Sequence, residues 1–373
     1  MNNCKAEITR DRNYGIDLLR VYSMFLVVIL HCLGQGGLLS HTANNSLQYK
    51  LLWFMKIFAY CSVNIFALIS GYVSFTDKKK KFKISNYIKM WIQVVFYGIF
   101  VVMIFRMVFP NTYSVKNYLL AIFPVSNNLY WYFTAYTGLF FLTPFLNAGV
   151  RECNTKTLKK VFIVIFVIFS LFGTLASKFN LINGYSVIWL ILLYILGAII
   201  KKCQFENEIK NSHAIVCILI LVLITYLYKI YGLNFSFFNI TINKDTFVSY
   251  TSPTIVLSAI LHLIIFSKLK LNNKISKYAS TIGTSAFSIY LLNTQSLFYE
   301  KILRDLFVEI LNKPIVFIFM IIVLFSIAFC VYSILIDKLR ILLFRFLHVD
   351  DFANKISNFL EKVTDKILIS ENK

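Results

Sequence analysis

The sequence predicts an all-α integral membrane protein, a polytopic helix bundle with about ten transmembrane helices and both termini in the cytoplasm. Three observations support this fold class. First, 58% of the 373 residues are hydrophobic and the mean hydropathy is +0.70, more apolar than a soluble domain requires. Second, apolar segments long enough to cross a bilayer recur along the whole chain. Third, Lys and Arg are concentrated in alternate loops.

Ten apolar segments approach the ~20 residues that a helix needs to span a bilayer. The ninth is the most polar, because Asn293, Thr294 and Gln295 interrupt it. After the tenth, apolar residues at helical spacing predict an amphipathic helix on the inner membrane surface. We therefore expect a transmembrane domain, 1–336, and a cytoplasmic tail, 337–373. The predicted spans are 14–34, 51–75, 87–109, 129–149, 158–176, 184–200, 213–232, 250–267, 283–299 and 315–336.

The basic residues predict the orientation. With the N-terminus inside, the inner segments hold 27 of the 38 Lys and Arg residues, and the outer loops hold 7. Positive residues favour the cytoplasmic side, so both termini are predicted to be cytoplasmic. The net charge of +21 is then mostly a topology signal, and we expect no nucleic-acid partner. The seven Cys residues show no metal-binding spacing, so no metal is expected.

The first span carries three polar residues that a lipid environment penalises. Arg20 and His31 are eleven residues apart, which places them about 20° apart around a helix and ~16 Å apart along it. Asp17 lies three residues before Arg20 on nearly the same face and can pair with it. Because such residues normally face a bundle interior or a wet cavity, they predict a polar track. His31 can act as a base near neutral pH.

These residues resemble the first span of the membrane-bound acyltransferase 3 family, in which an Arg and a His are separated by ten residues. The preceding "GIDLLR" is also similar to the family, as are "VNIFALISGYVSF", "NLYWYFTAYTGLFFLTPFLN" and "TSAFSIYLLNTQ" in that order. The ten-span layout matches as well. The chain departs from the family at Asn293, where His is common, and at Lys83 and Lys89, where paired Arg is common.

The resemblance implies transfer of an acyl group, most simply acetyl, from cytoplasmic acetyl-CoA to a hydroxyl of a cell-surface polysaccharide or its lipid-linked precursor. It places the enzyme in the plasma membrane, with membrane lipid, acyl-CoA and a surface or lipid-linked glycan as partners. The candidate catalytic residues are His31, Arg20 and Asp17. Lys83 and Lys89 are candidates for the phosphates of acetyl-CoA. The candidate substrate-binding residues are Ser70, Gly71, Tyr72, Trp131, Tyr132 and Arg106.

Several of these residues have structural alternatives. Gly71 can serve helix packing, Trp131 and Tyr132 can belong to an aromatic belt at the membrane edge, and Arg106 can extend to the interface. Direct transfer and a covalent acyl-His31 intermediate are both open.

A non-enzymatic transporter or flippase for a glycan or lipid is the main alternative function for the chain. An envelope glycan polymerase would favour larger outer loops. The sequence has no GxxxxGK[ST], GxGxxG or GxSxG motif, which argues against an ATP-driven motor and against a hydrolase of the last type.

Overall fold

The computed structural model describes residues 12–79, 81–110, 115–176, 179–237 and 240–370. Most of these residues are helical, so the predicted all-α fold is confirmed. The strands among them form one antiparallel hairpin, β1 (Phe235–Phe237) and β2 (Ile240–Ile242), with Phe235 opposite Ile242. The helices are α1 (Tyr14–Leu33), α2 (Leu38–His41), α3 (Leu47–Ala59), α4 (Ser62–Ser74), α5 (Ile84–Val108), α6 (Val115–Ile122), α7 (Trp131–Glu152), α8 (Thr155–Val164), α9 (Gly173–Ala176), α10 (Val187–Cys203), α11 (Asn211–Tyr231), α12 (Pro253–Ser267), α13 (Asn273–Gly283), α14 (Ala286–Asn293), α15 (Ser296–Phe298), α16 (Ile315–Phe346) and α17 (Val349–Ser370).

The helices are those of a membrane protein. In the described part of the chain, six helical segments are long and apolar enough to cross a bilayer. They are Tyr14–His41, Leu47–Ser74, Ile84–Val108, Thr155–Ala176, Asn211–Tyr231 and Ile315–Phe346. The other four predicted spans are also helical, but they are more polar, as in α7, or shorter: α10 has 17 residues, α12 has 15 and α14 has 8. The number of ten stays a prediction.

The helix α1 occupies the centre of the bundle. It contacts α3 and α4 on one side and α12, α13, α14 and α16 on others. A helix that carries Asp17, Arg20 and His31 is therefore surrounded by protein. Polar residues within a membrane are tolerated in such surroundings. The polar track predicted for the first span therefore lies inside the bundle.

The C-terminal part of the chain is helical on both sides of the predicted domain boundary. The helix α16 continues to Phe346, so position 336 lies inside it. Just beyond this position, the buried Asp337 carboxylate accepts hydrogen bonds from the Tyr97 hydroxyl at 2.7 Å and from Arg340 Nε at 2.6 Å. This polar network ties α16 to α5 and extends the bundle into the predicted tail.

The amphipathic helix predicted in the tail is α17, and it presents two different faces. Ala353 and Ser357 are buried on the side that packs against α5, whereas Phe352 and Phe359 are exposed. Two ion pairs of 2.7 Å fasten the helix, Lys89 with Asp350 and Lys81 with Glu361. An exposed apolar face beside a docked face is what an interfacial helix requires. Its cytoplasmic location stays a prediction.

The helices α4 and α10 approach each other closely through glycine. A Cβ atom on Gly71 would lie 1.9 Å from the Tyr194 carbonyl oxygen, and one on Gly197 would lie 2.1 Å from the Leu68 carbonyl oxygen. Neither distance is possible for real atoms, so each position requires glycine as long as the helices stay in contact. Small residues give membrane helices this kind of close packing.

We predict that Gly71→Ala and Gly197→Ala each destabilise the bundle by about 1–3 kcal/mol, because an overpacked contact forces the backbone to shift. The measurement is the thermal unfolding of detergent-purified protein, followed by size-exclusion chromatography. Gly149→Ala is the control, since a Cβ there meets no atom within 4 Å and alanine is the better helix former. Equal unfolding temperatures for Gly71→Ala and Gly149→Ala would contradict the close contact.

Candidate active site

Three adjoining cavities follow α1 through the bundle. The entry cavity, of about 800 Å³, and the Arg20 cavity, of about 310 Å³, share the side chains of Arg20 and Val73. The His31 cavity, of about 270 Å³, shares Phe66 and Tyr132 with the Arg20 cavity. Shared lining residues mean that the cavities are adjacent, so the predicted polar track is a row of neighbouring cavities from Arg20 to His31.

At the entry cavity, the Asp17 carboxylate lies between two guanidinium groups. Arg20 Nη1 donates to Oδ1 at 2.6 Å, which confirms the predicted pair, and Arg12 Nε donates to Oδ2 at 2.6 Å. The Asp17 side chain is only 2% exposed, and Gly283 of α13 packs directly on it. One carboxylate therefore positions two cations. Arg12 was not anticipated, because its contact depends on how the chain enters α1.

At the other end of α1, the His31 imidazole lines its cavity and bonds to α14. His31 Nδ1 and Asn293 Oδ1 are hydrogen-bonded, and the Tyr299 ring packs edge-on at 4.9 Å between centroids. An amide oxygen only accepts, so with the Asn293 oxygen facing the ring, Nδ1 is the atom that carries the proton and donates it. The neutral imidazole then has its lone pair at Nε2, which makes no hydrogen bond to any residue that the structure describes. This is the tautomer that a general base needs.

The polar interruption of the ninth predicted span has a structural explanation. Asn293 is the last residue of α14 and is hydrogen-bonded to His31, and Thr294 lines the His31 cavity. Gln295 caps α15, with its side-chain oxygen accepting from the backbone nitrogen of Leu297 at 2.6 Å. The departure from the family's usual residue at Asn293 therefore lies in direct contact with His31.

The His31 cavity has a largely aromatic lining. Trp131 and Tyr185 are in contact, with ring centroids 4.6 Å apart. Tyr185 and Tyr250 precede α10 and α12 in the chain, and sequence reasoning missed both of them. Their aromatic character alone does not distinguish them from the other tyrosines of the chain. Besides His31 itself, the aromatic lining residues are Phe66, Trp131, Tyr132, Tyr185, Tyr250, Tyr290 and Tyr299.

The other candidate substrate-binding residues are dispersed. Ser70 lines the Arg20 cavity, and Tyr72 lines the entry cavity. Gly71 instead faces the backbone of α10, as the packing alternative requires. Arg106 is exposed in the last turn of α5, away from the three cavities. The binding roles of these residues stay predictions.

A basic pocket of about 480 Å³ adjoins the Arg20 cavity through Ser74 and the entry cavity through Thr76. Among the described residues, its lining contains no carboxylate. Glu361 pairs with Lys81 from outside the pocket and raises the pKa of that lysine through a hydrogen bond. The cationic residues that line it are Lys79, Lys81, Lys83 and Arg151.

The two candidate lysines for the acetyl-CoA phosphates are thus in different surroundings. Lys83 belongs to the basic pocket, whereas Lys89 pairs with Asp350 of α17 and does not line it.

A further lysine, Lys202, lines the entry cavity but is already hydrogen-bonded to backbone. Its ammonium donates to the carbonyl oxygens of Val150, Arg151 and Cys153 at 2.6–2.9 Å and caps α7.

Comparison with known proteins assigns the chain to a family. No curated protein and no solved structure matches the chain. A family model described as an acyltransferase domain, that of the acyltransferase 3 family, matches residues 13–334. The match contains Asp17, Arg20, His31 and Asn293 and covers most of the helices that form the cavities. The chain therefore belongs to the acyltransferase 3 family and is a membrane acyltransferase.

Proposed function

We propose that this protein is a plasma-membrane O-acyltransferase. It moves an acyl group, most simply acetyl, from cytoplasmic acetyl-CoA to a hydroxyl of a cell-surface polysaccharide or its lipid-linked precursor. The observation that carries the proposal is the row of cavities that leads from Arg20, beside the basic pocket, to a His31 imidazole with a free Nε2 lone pair.

The charges support an orientation with both termini in the cytoplasm and ten spans. Six cationic side chains lie around the end of the bundle where α1 begins: Arg12, Lys201 and the four of the basic pocket. A cytoplasmic position for this end agrees with the excess of Lys and Arg in the predicted inner segments. The four shorter or more polar helices then complete the ten spans, and neighbouring helices shield them from lipid.

The basic pocket fits the phosphates of the donor. Lys79, Lys83 and Arg151 provide positive charge at the donor side, and the adjoining Arg20 cavity has both apolar and hydroxyl groups along its length. A chain of methylene and amide groups, such as the arm of coenzyme A, requires such a mixed lining. Arg20, held by Asp17 and 27% exposed, lies at the junction with the entry cavity.

His31 provides the base. The Asn293 amide fixes the ring through Nδ1, so Nε2 can take the proton of an acceptor hydroxyl as that oxygen attacks the thioester carbonyl. The carbon–sulfur bond then breaks, and the leaving thiolate takes the proton from His31. The alternative is an acyl group carried briefly on Nε2.

The aromatic lining of the His31 cavity suits a sugar. Trp131 and Tyr185 present faces on which a pyranose ring can pack, and tyrosine hydroxyls provide polar contacts at the edge of those faces. The acceptor therefore enters at the His31 end, while the donor enters at the Arg20 end.

We predict that His31→Gln lowers the rate of glycan acylation by roughly 10²–10⁴-fold, the usual loss when a general base is removed. The readout is the O-acyl content of surface glycans from cells that express each variant, normalised to the membrane abundance of the protein. His262→Gln is the matched control. His262 is also buried in a helix, where it contacts Ser258 and Tyr22, but it does not line the three cavities.

Wild-type acylation by His31→Gln would remove His31 from the mechanism. The two chemical routes are separated by incubating purified protein with labelled acetyl-CoA and no acceptor. Label that stays on the wild type but not on His31→Gln supports the covalent route, and its absence favours direct transfer.

We predict that Arg20→Lys folds but loses about 10- to 100-fold in activity, because a charge-assisted hydrogen bond is worth about 1.5–3 kcal/mol and lysine lacks the guanidinium plane. Activity at saturating and limiting acetyl-CoA reveals whether donor binding is affected. The control is the double variant Asp17→Asn with Arg20→Gln. If that variant acylates glycan at the wild-type rate, Arg20 has only a structural role.

We predict the topology of four exposed positions in a protein whose native cysteines are replaced by serine. Lys156→Cys and Lys274→Cys should be shielded from an impermeant thiol reagent in intact cells, because they belong to basic inner segments. Asn44→Cys and Asn243→Cys should label. Permeabilised cells, in which all four react, provide the control, and labelling of Lys156→Cys in intact cells would overturn the orientation.

A further inference from the structure

We propose that the Tyr132 hydroxyl is a catalytic hydrogen-bond donor that stabilises the negative charge on the acyl carbonyl oxygen during transfer. This inference rests on the proposed acyltransferase function and adds to it a residue for the developing charge. His31 removes a proton but cannot at the same time bind an oxyanion on the opposite side of the reacting carbon.

The position of Tyr132 points to this role. Tyr132 and Phe66 are the two residues that line both the Arg20 cavity and the His31 cavity. An acyl group delivered through the first cavity meets an acceptor in the second at their shared boundary. Of the two boundary residues, only Tyr132 has a hydrogen to donate. Tyr132 therefore flanks the boundary that the reacting carbonyl has to reach.

The hydroxyl itself is unused in the free protein. Tyr132 is 5% exposed, and its oxygen has no hydrogen-bond partner among the described residues. Ser70 lies nearby but does not form a hydrogen bond of acceptable geometry with it, and the Ser70 hydroxyl donates to the Phe66 carbonyl at 3.2 Å. A buried unpaired donor is unfavourable, and a substrate oxygen would relieve it.

Tyr132 is also held in place before any substrate arrives. Its backbone nitrogen donates to the Tyr290 hydroxyl at 3.2 Å, and its ring contacts those of Phe66 and Tyr290 at 5.7 and 5.9 Å between centroids. A donor with a fixed orientation needs little reorganisation when charge develops. Pre-organised donors of this kind give the largest electrostatic contributions in acyl transfer.

The chemistry balances without any further reactant. The acceptor oxygen attacks the thioester carbon as His31 Nε2 takes its proton, and the carbonyl electron pair moves onto oxygen, where the Tyr132 hydroxyl donates to it and keeps its own proton. When the carbonyl re-forms, the carbon–sulfur bond breaks and the thiolate takes the proton from His31. The products are the ester and free coenzyme A. An acyl-His31 route forms the same oxyanion, so the role of Tyr132 does not depend on the route.

The test compares Tyr132→Phe with Tyr130→Phe in the purified full chain reconstituted in liposomes. Tyr130 is the matched control, because its hydroxyl is also buried without a partner in the described structure but it lines neither cavity. The probes are radiolabelled acetyl-CoA and surface polysaccharide de-O-acylated with mild base. We expect Tyr132→Phe to lower kcat by about 10²–10³-fold with little change in the KM for acetyl-CoA. Tyr130→Phe should stay within about twofold of the wild type, and neither variant should lower the unfolding temperature, because neither removes a hydrogen bond.

The outcomes separate the two proposals. No transfer by the wild-type protein would count against the acyltransferase function with this glycan class, and the role of Tyr132 would fall with it. Transfer by the wild type and by Tyr132→Phe at equal rates would overturn the role of Tyr132 alone. If Tyr132→Phe folds poorly, a ring-fluorinated tyrosine at position 132 keeps the shape and strengthens the donor. A changed kcat then supports the proposal, and an unchanged kcat overturns it.

Discussion

A polar group inside a hydrocarbon layer must have a polar partner or face a cavity that water can enter. The arrangement of this bundle follows from that constraint. Asp17 is placed between two guanidinium groups, and Arg20 turns from Asp17 towards two cavities. His31 has Asn293 on one side and open space on the other. Oδ1 of Asp337 meets the same requirement through Tyr97 and Arg340, whereas Oδ2 is buried without a partner among the described residues. Helices that carry such residues belong in the interior, which explains why α1 is central.

The two ends of the cavity row differ in a way that suits group transfer. Charge is concentrated at the Arg20 end, whereas the His31 end is neutral and aromatic. In the proposed reaction only the acyl group, which is small and uncharged, has to reach the aromatic end. The phosphates of the donor stay where cations can balance them, so no charged group has to enter the least polar part of the bundle. In that reaction, the donor is bound at a distance from the chemistry at His31.

Sequence reasoning succeeded where one helix sets the geometry. Periodicity along α1 predicted the Asp17–Arg20 pair and the alignment with His31, because both depend on a fixed rotation per residue. It could not identify Asn293 as the partner of His31, since the two lie 262 positions apart and meet only through helix packing. The same limit applies to Lys89: the family resemblance suggested a phosphate ligand, and the pairing of its ammonium with Asp350 of α17 could not be foreseen. Its role as a phosphate ligand stays a prediction. Tyr185 and Tyr250 had no local signal at all.

The glycine contact between α4 and α10 has a consequence for how the two cavities communicate. Phe66 lies on α4, a few residues from Gly71, and the backbone of that helix abuts the backbone of α10. A helix in such contact has no room to move towards α10, so in the proposed reaction the boundary between the two cavities would widen mainly by side-chain rotation at Phe66 and Tyr132. In the proposed reaction, the boundary between the two cavities would pass a two-carbon unit more easily than a fatty chain.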